Sequence, residues 1–497
     1  MKTKSLCPEC LEVIDAEVYE EGGKILIKKK CERHGEFDDV YWSDAELYHK
    51  FAKWRCEGSA GITLTKTDKG CPFDCGLCPE HKSSTMLALI DLTNRCNQKC
   101  PTCFANAAVA GYLYEPTMEQ LREMMELLRS ETPPCPAVQF AGGEPTIREG
   151  FVDIVRMARN MGFSHIQVAT NGVALAKSEA FCRQLKEAGL HTVYLQFDGV
   201  TDEPYKTLRG IPALKTKLKA IESSRRGGLK SVVLIPTLMK GVNDDQVGDI
   251  VRFAAENLDI VKGVNAQPIA FEGRIDESAR KEGRITIPDF INLLEEQTEG
   301  EIPRESFYPI PFVVPFSYFV EAWKGMPQLE FTVHPHCGAA TYVFVENGKF
   351  IPITEFIDVE GLMEFIMEAA EEISKSRIGK LKAIAKMTML GGKFIDREKA
   401  PSVFDNFTSF ADILGKGNRE SLAEFHRKAL FIGAMHFQDA YNYDLERVKS
   451  CGIHYATPDL RIIPFCTYNA IHRPSVEKAF SMPLHSAKSQ LGIGNSQ

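Results

Sequence analysis

The pattern of apolar and polar positions along the chain changes near residue 86. Downstream of it, short apolar runs alternate with segments in which apolar residues recur every three or four positions. The runs predict strands at residues 86–93, 137–142, 165–170, 191–199, 231–238 and 263–270. Strands that are apolar on both faces and separated by helices indicate a parallel sheet with helices outside it. Six β-α units are too few for a closed eight-fold barrel, so we predict an α/β fold with a partial (β/α)6 barrel.

The helical segments carry their own start and stop signals. Thr117 and Gln120 have capping-box spacing before an apolar periodic run, and Gly162 follows another such run as a helix stop. After about residue 275 the alternation is lost. Helical stretches at 359–390 and 417–449 are predicted to flank a hairpin with an Asn347-Gly348 turn, and residues 485–497 are predicted to be disordered.

A chain of 497 residues is too long for one hydrophobic core, so several units are expected. The patterns predict a small mononuclear-metal module at 1–55, an auxiliary iron-sulfur segment at 56–85 and the barrel at 86–275. Residues 276–497 are predicted to form an α+β extension that binds a further cluster.

The charge balance of 59 basic and 67 acidic residues argues against a nucleic-acid partner, which would favour a basic surface. No apolar run is long enough to span a membrane, and the N-terminus lacks the apolar segment of a secretion signal. These features predict a cytoplasmic protein. Thiols stay reduced in that compartment, so the 15 cysteines indicate metal or cluster ligation rather than disulfides.

Three cysteines, Cys96, Cys100 and Cys103, follow the first barrel strand in the spacing C-x3-C-x2-C. Reactive residues of such barrels lie on the loops at the carboxyl ends of strands, where this triplet falls. A structural zinc knuckle is the alternative, but it requires four protein ligands. Three thiolates instead suit a 4Fe-4S cluster that keeps one iron open for a chelating ligand.

A second group of ligand-type residues lies at the N-terminus. Cys7, Cys10, Cys31 and His34 have the two-knuckle spacing of a mononuclear metal site. So small a unit contains few apolar residues and should need the metal to fold. Zinc is the default ion for this ligand set, and rubredoxin-like iron is the alternative.

The remaining cysteines suggest one or two auxiliary clusters. Cys71, Cys75 and Cys78 repeat the C-x3-C-x2-C spacing without following a barrel strand, so we predict an auxiliary 4Fe-4S cluster completed by Cys56 or His81. A further cluster or metal site is predicted at Cys337, Cys451 and Cys466, with a fourth ligand among His334, His336 and His436. Buried free cysteine is the alternative there.

The Cys96 triplet, the aromatic Phe104 after it and the "AGGEP" stretch at the second strand together resemble the radical SAM superfamily. The resemblance implies that the open iron binds the amino and carboxylate groups of S-adenosylmethionine. One electron would then cleave it to a 5′-deoxyadenosyl radical that abstracts hydrogen from carbon. It also implies catalytic roles for the three cysteines and cofactor-binding roles for Phe104, Gly142, Gly143, Glu144, Asn171, Gln196 and Asp198. For Asn171, Gln196 and Asp198, ordinary strand-end polar residues are the alternative.

The succession of cysteine motifs along the whole chain resembles the archaeal tetraether lipid synthase-like group of that superfamily. The resemblance implies joining of the terminal methyl carbons of isoprenoid chains in an archaeal diether phospholipid. The partners expected from it are that lipid, peripheral membrane contact and an external electron donor such as ferredoxin or flavodoxin. The apolar segments 308–320, 362–373 and 385–390 would then wall a lipid conduit, with plain core packing as the alternative.

Other functions are open to the same residues. Members of this group have also been linked to methylation of a pterin precursor, and a pterin would require a compact polar cavity. Cross-linking of lipid chains at mid-chain positions is a further alternative. A non-enzymatic iron-sulfur electron carrier is disfavoured, because a carrier has no use for an iron without a protein ligand.

Overall fold

The structure, a computed structural model, describes residues 1–60, 62–375, 378–402, 404 and 428–483. The N-terminal residues form an antiparallel sheet in the order β1-β2-β3-β4. In β3 every second residue is buried, including Lys29, whose ammonium donates to Ser5 Oγ at 3.0 Å and to the Ala440 carbonyl at 2.6 Å. The strands are β1 (Lys2–Leu6), β2 (Val13–Glu21), β3 (Lys24–Cys31) and β4 (Gly35–Trp42).

The predicted α/β barrel fold is confirmed. Parallel strands run in the order β5-β7-β8-β9-β10-β12, each within or next to a predicted apolar run. The predicted strand 231–238 is divided in two, because Pro236 has no N–H to donate to the ladder. The strands are β5 (Leu87–Thr93), β6 (Tyr112–Tyr114), β7 (Ala137–Gly142), β8 (His165–Thr170), β9 (Thr192–Gln196), β10 (Val232–Ile235), β11 (Thr237–Leu238) and β12 (Val261–Pro268).

Strands from the C-terminal part of the chain extend this sheet on both sides. β16 pairs in parallel with β12, and β17 pairs in parallel with β5, so the described parallel row reaches eight strands. Antiparallel neighbours, β14 and β18, follow at the two ends. The strands are β13 (Tyr308–Pro309), β14 (Gly338–Glu346), β15 (Lys349–Pro352), β16 (Ala429–Met435), β17 (Ile453–Ala456) and β18 (Ile462–Pro464). A further strand, β19 (Ser481–Pro483), pairs with β6 in a separate two-stranded sheet.

The helices pack outside the parallel strands. The helix after β6 begins at the predicted capping box, in which Thr117 Oγ1 accepts from the Gln120 amide and the Gln120 side chain accepts from the Thr117 amide. The helices are Ala45–Ala52, Met118–Ser130, Phe151–Asn160, Val173–Lys177, Glu179–Ala188, Glu203–Arg209, Leu214–Arg226, Val247–Glu256, Arg280–Gly283, Ile287–Gln297, Val314–Lys324, Ile353–Phe356, Val359–Lys375, Gly379–Leu390, Leu445–Lys449, Phe465–Thr467 and Arg473–Ala479, with a π-helical turn at Tyr468–His472.

The C-terminal predictions are only partly right. The hairpin forms, with β14 and β15 joined through Asn347 and Gly348, both at positive φ. The helical prediction for 417–449 is wrong at residues 429–435, which form β16 between β12 and β14, and right at Leu445–Lys449. Residues 485–497, predicted to be disordered, lie outside the described residues.

The apolar segments expected to wall a lipid conduit pack against one another instead. Phe312 and Phe319 share a second hydrophobic core with Phe356, Met363 and Ile366, and none of these residues lines the central cavity described below. These segments therefore serve as core packing, which corrects the conduit prediction.

One buried ion network joins the N-terminal sheet to the rest of the protein. Arg284 donates to Asp39 Oδ2 at 2.8 Å and to Asp439 Oδ2 at 2.6 Å. All three side chains are nearly inaccessible to solvent. Asp39 lies on β4, Arg284 precedes the helix Ile287–Gln297 and Asp439 follows β16, so a single guanidinium connects three parts of the chain.

Candidate active site

Cys96, Cys100 and Cys103 lie in the loop after β5 and line a cavity of about 260 Å³ at the carboxyl ends of the strands. Burial raises the pKa of the Cys96 thiol to about 12, with smaller contributions from the charges of Glu144 and of the other two cysteines. The three thiols therefore face one water-poor space.

The spacing of these thiols fits a cluster better than a single ion. Among the described residues, only the N-terminal Cys/His group brings three or more ligand atoms within 4.8 Å of one another. A cubane carries its cysteines on different irons and needs the wider spread. The triplet is thus a suitable donor set for a 4Fe-4S cluster with one iron left for another ligand.

The two glycines of "AGGEP" permit a close approach between backbones. A side chain on Gly142, at φ +122°, would lie 2.4 Å from the Thr93 carbonyl oxygen, and one on Gly143 would lie 2.2 Å from that of Arg95. The Gly143 amide donates to Thr93 O at 2.7 Å. The glycines therefore fix the end of β7 against the residues that lead into Cys96.

Glu144 lines the cavity but is anchored within the protein. Its carboxylate accepts from Thr146, from Thr170 Oγ1 at 2.7 Å and from the Asn171 amide at 2.8 Å. Burial raises the pKa of this carboxyl above its usual value, partly offset by those hydrogen bonds. The side chain predicted to hold the methionine amino group thus also ties the end of β7 to the end of β8.

The residues predicted after β8 and β9 belong to one connected polar wall. Asn171 Nδ2 donates to Asn97 Oδ1 at 2.7 Å, next to Cys96. Gln196 donates to Asp198 and accepts from the ammonium of Lys217 at 3.0 Å. The structure therefore brings Asn171, Gln196 and Asp198 to the same side of the barrel mouth.

The wall is completed by charges. Asp198 is fully buried and accepts from Arg209 Nε at 2.8 Å and Nη2 at 2.7 Å. Burial lowers the pKa of the fully buried Lys217 to about 8. Phe104 also lines the cavity, with its ring 6.1 Å from that of Phe465.

The N-terminal group forms a compact tetrad. Cys7 Sγ and Cys31 Sγ each lie 3.5 Å from His34 Nδ1, and Cys10 Sγ lies 4.0 Å from Cys31 Sγ. A zinc ion with bonds of about 2.3 Å to sulfur would separate two tetrahedral thiolates by about 3.8 Å. Hydrogen bonds, the largest from the Arg33 amide, lower the pKa of Cys31 to about 6. The four residues fit a mononuclear ion, and His34 is in place as the fourth ligand.

The second triplet is assembled without Cys56. The thiols of Cys71 and Cys75 are close enough to lower the pKa of the first and raise that of the second. The charge that acts on the Cys56 thiol is that of Glu330, so the structure does not bring Cys56 to the triplet. His81 also points elsewhere, with Nε2 2.9 Å from the Cys451 carbonyl oxygen and 3.1 Å from His454 Nε2.

Cys337, Cys451 and Cys466 meet although they are far apart in sequence. The charges of Cys337 and Cys451 both raise the pKa of the Cys466 thiol, after its burial. His436 is 2% exposed, and neither of its ring nitrogens has a hydrogen-bond partner. Its backbone amide donates to the Cys337 carbonyl at 3.1 Å, so it lies beside the triplet with both nitrogens available. His336 is engaged elsewhere, stacking on Tyr48 at 3.9 Å.

The sequence analysis missed three residues at this site: Arg209, Lys217 and Glu272. Arg209 and Lys217 lie on helices, where basic residues normally face solvent. Glu272 follows β12 by four residues and lines the cavity. The position of Glu272 at the carboxyl end of a barrel strand is a signal that could have identified it.

Residues 90–254 match the model of the radical SAM superfamily, and residues 1–43 match that of the HMPTM N-terminal zinc ribbon domain. The chain is 54% identical to the 7,8-dihydro-6-hydroxymethylpterin dimethyltransferase of Methanocaldococcus jannaschii, over 99% of this chain and 98% of that protein. A GTP 3′,8-cyclase of Alkaliphilus oremlandii is 25% identical over 45% of this chain and 68% of its own length. Streptococcus suis SuiB, a solved structure, is 16% identical over 44% of this chain and 46% of its own, with a TM-score of 0.36.

These findings correct the expected lipid chemistry. Coupling of archaeal diether phospholipids and peripheral membrane contact were predicted, but a relative similar over nearly the whole chain acts on a pterin. No helix of the described residues has the length and apolar character needed to cross a membrane.

Proposed function

The chain belongs to the radical SAM superfamily, in the family of the 7,8-dihydro-6-hydroxymethylpterin dimethyltransferase, and we propose that it transfers methyl groups to a 6-hydroxymethyl dihydropterin. The observation that carries the proposal is the 54% identity, which extends over 99% of the chain. The matched region includes the N-terminal ribbon and the C-terminal extension as well as the barrel.

The cavity supports a compact polar substrate. Its volume is about 260 Å³, and several amide side chains line it among its apolar residues. An extended isoprenoid chain would instead require a long apolar tunnel. The amides are Gln139, Asn171, Gln196, Gln267, Gln438 and Asn469.

Radical SAM enzymes contain a 4Fe-4S cluster and S-adenosylmethionine, which supply an oxidant able to remove hydrogen from carbon when bound. We assign the cluster to Cys96, Cys100 and Cys103. The residues around them position the ligands and exclude water. The bidentate Asp198–Arg209 pair keeps one wall rigid, and Lys217 orients Gln196 by donating to its carbonyl oxygen at 3.0 Å.

Two auxiliary clusters complete the proposal. We assign one to Cys71, Cys75 and Cys78, and the other to Cys337, Cys451 and Cys466 with His436 as its fourth ligand. Support comes from Tyr443, a fully buried ring whose pKa is raised by burial and by the charges of Cys75, Cys466 and Cys71. Thiols of both triplets therefore lie near one side chain.

The experiment is anaerobic incubation of reconstituted protein with 6-hydroxymethyl-7,8-dihydropterin, S-adenosylmethionine and dithionite as the one-electron donor. Mass spectrometry should detect pterin products heavier by one and by two methylene units, together with deoxyadenosine.

A parallel incubation replaces the pterin with archaeal diether lipid. A lipid product lighter by two hydrogens, with the pterin left unchanged, would overturn the proposed function. Methylated pterin with unchanged lipid would support it.

A further inference from the structure

Glu272 presents an unpaired carboxylate to the cavity that contains the Cys96 triplet. It lies four residues beyond β12, at the carboxyl ends of the strands where barrel ligands bind. Its Oε1 is shielded from solvent and has no hydrogen-bond partner. A buried acceptor without a partner is unfavourable, so this atom is suited to a donor that arrives with a ligand.

No basic group of the described residues forms an ion pair with Glu272. Arg473, whose charge acts on the Glu272 carboxyl, is already engaged by Asp91 and by Glu477. Arg284 is likewise engaged, by Asp39 and Asp439. Burial and the negative charge of Asp439 raise the pKa of the Glu272 carboxyl well above its usual value.

The backbone holds Glu272 in place from both sides. The Phe271 amide donates to Asp439 Oδ2 at 2.8 Å, and the Arg274 amide donates to Cys103 O at 3.1 Å. Gly273, at φ +69°, packs so tightly that a side chain there would lie 2.4 Å from Phe104 O. The backbone of Glu272 is thus held beside the cysteine loop.

We propose that Glu272 binds the pterin through the 2-amino-4-oxopyrimidine edge of its ring. This inference rests on the proposed function. On that edge the ring N3–H and an N–H of the 2-amino group are adjacent parallel donors that match the two oxygens of a carboxylate. Their arrival favours the ionised form of Glu272, which burial alone disfavours. Gln267 and Gln438 line the same cavity and provide further polar groups for the carbonyl and the ring nitrogens.

The test compares 6-hydroxymethyl-7,8-dihydropterin with its lumazine analogue, in which an oxo group replaces the 2-amino group. Wild-type protein should prefer the pterin at least tenfold in kcat/KM. Glu272→Gln should raise the KM for the pterin about 10- to 100-fold, the range of one charge-assisted pair, and should abolish the preference. The KM for S-adenosylmethionine should not change.

Two variants serve as references. Glu282→Gln removes an exposed carboxylate ten residues away and should leave both the KM and the preference at wild-type values. Glu272→Asp keeps the charge on a shorter side chain and should restore part of the preference.

Each other outcome has a distinct meaning. If wild-type protein methylates the pterin and Glu272→Gln keeps the KM and the preference, the inference is overturned while the proposed function stands. If the KM rises for S-adenosylmethionine alone, Glu272 serves that cofactor and the inference is overturned. Unfolding of Glu272→Gln, detected by circular dichroism, would also count against it, because an unpaired carboxylate should not be needed for folding. If wild-type protein methylates no pterin, the proposed function itself fails.

Discussion

The N-terminal metal group and the barrel loop both rely on closely spaced cysteines, yet the structure arranges them differently. Cys7, Cys10, Cys31 and His34 bring their ligand atoms within 4.8 Å of one another, between strands of one small sheet. Cys96, Cys100 and Cys103 are spread along a loop and face a cavity. A full set of protein ligands leaves an ion only a structural role, whereas an incomplete set leaves a position for a reactant.

Removal of a ligand from the Cys96 triplet, whose set of protein ligands is incomplete, should have the largest effect on activity. Cys96→Ala should abolish deoxyadenosine formation, because the cluster would lose one of its three protein ligands, while the zinc content stays at wild-type level. Liquid chromatography of the anaerobic reaction checks this. Cys182→Ala, which removes a buried cysteine from the helix Glu179–Ala188, should retain activity. Deoxyadenosine formation by Cys96→Ala would contradict the assignment of the reactive cluster to the barrel loop.

Removal of a ligand from the N-terminal Cys/His group, whose ligand set is complete, should affect folding more than catalysis. Cys31→Ala should lose about one zinc per chain and unfold the N-terminal sheet, since structural zinc contributes about 10–16 kcal/mol in small zinc-binding peptides. Metal analysis and hydrogen exchange of residues 1–43 measure both effects. Deoxyadenosine should still form. Cys135→Ala, at another buried cysteine, should keep its zinc, and loss of zinc from that control would undermine the assignment.

The stability of the polar wall of the barrel cavity should be sensitive to the loss of one of its charges. Asp198→Asn leaves Arg209 buried without its carboxylate and should lower the free energy of unfolding by about 3–5 kcal/mol. Denaturant unfolding monitored by circular dichroism measures the change. Glu203→Gln removes the carboxylate of the exposed Glu203–Lys206 pair and should leave the midpoint unchanged. Equal effects of the two variants would mean that the wall is not a rigid part of the site.

The smallest expected effect is a change of protein stability with pH. The pKa of Lys217 is lowered to about 8 in the folded protein, so the unfolded chain binds more protons between that pH and its ordinary value near 10.5. Stability should therefore rise with pH across this window, by up to about 3 kcal/mol, and should be flat with respect to this group below pH 8. The Lys217→Met variant should show no such increase of stability with pH, whatever its free energy of unfolding at pH 7. Urea midpoints at pH 8, 9 and 10 test this, and an unchanged slope would refute it.

The sequence predicted the barrel well, because its strands and helices follow local rules. The apolar run 86–93 contains β5, and the capping box at Thr117 marks the start of a helix. β16 was missed because its extended form depends on pairing with β12 and β14, which no local pattern reveals. The same holds for the meeting of Cys337 with Cys451 and Cys466, which the sequence suggested only as one possibility among others.

At the candidate active site, the residue types predicted which side chains line the cavity better than they predicted what those side chains do. Glu144 does line the cavity, but its carboxylate is largely engaged by Thr146, Thr170 and Asn171. Glu272 carries no motif, and only the structure shows that its Oε1 lacks a partner. The substrate class was the weakest inference, since apolar segments such as 308–320 look alike in a sequence whether they line a tunnel or fill a core.

The guanidinium of Arg284 couples the N-terminal ribbon to the part of the cavity that contains Glu272. It holds Asp439, and Asp439 in turn holds the amide next to Glu272, while its other contact, Asp39, belongs to the strand that follows His34. An ion lost from the ribbon would therefore loosen the support of Glu272 while leaving the three barrel thiols untouched. Loss of the ribbon ion alone would show first as poor substrate discrimination, with cofactor consumed and little product made.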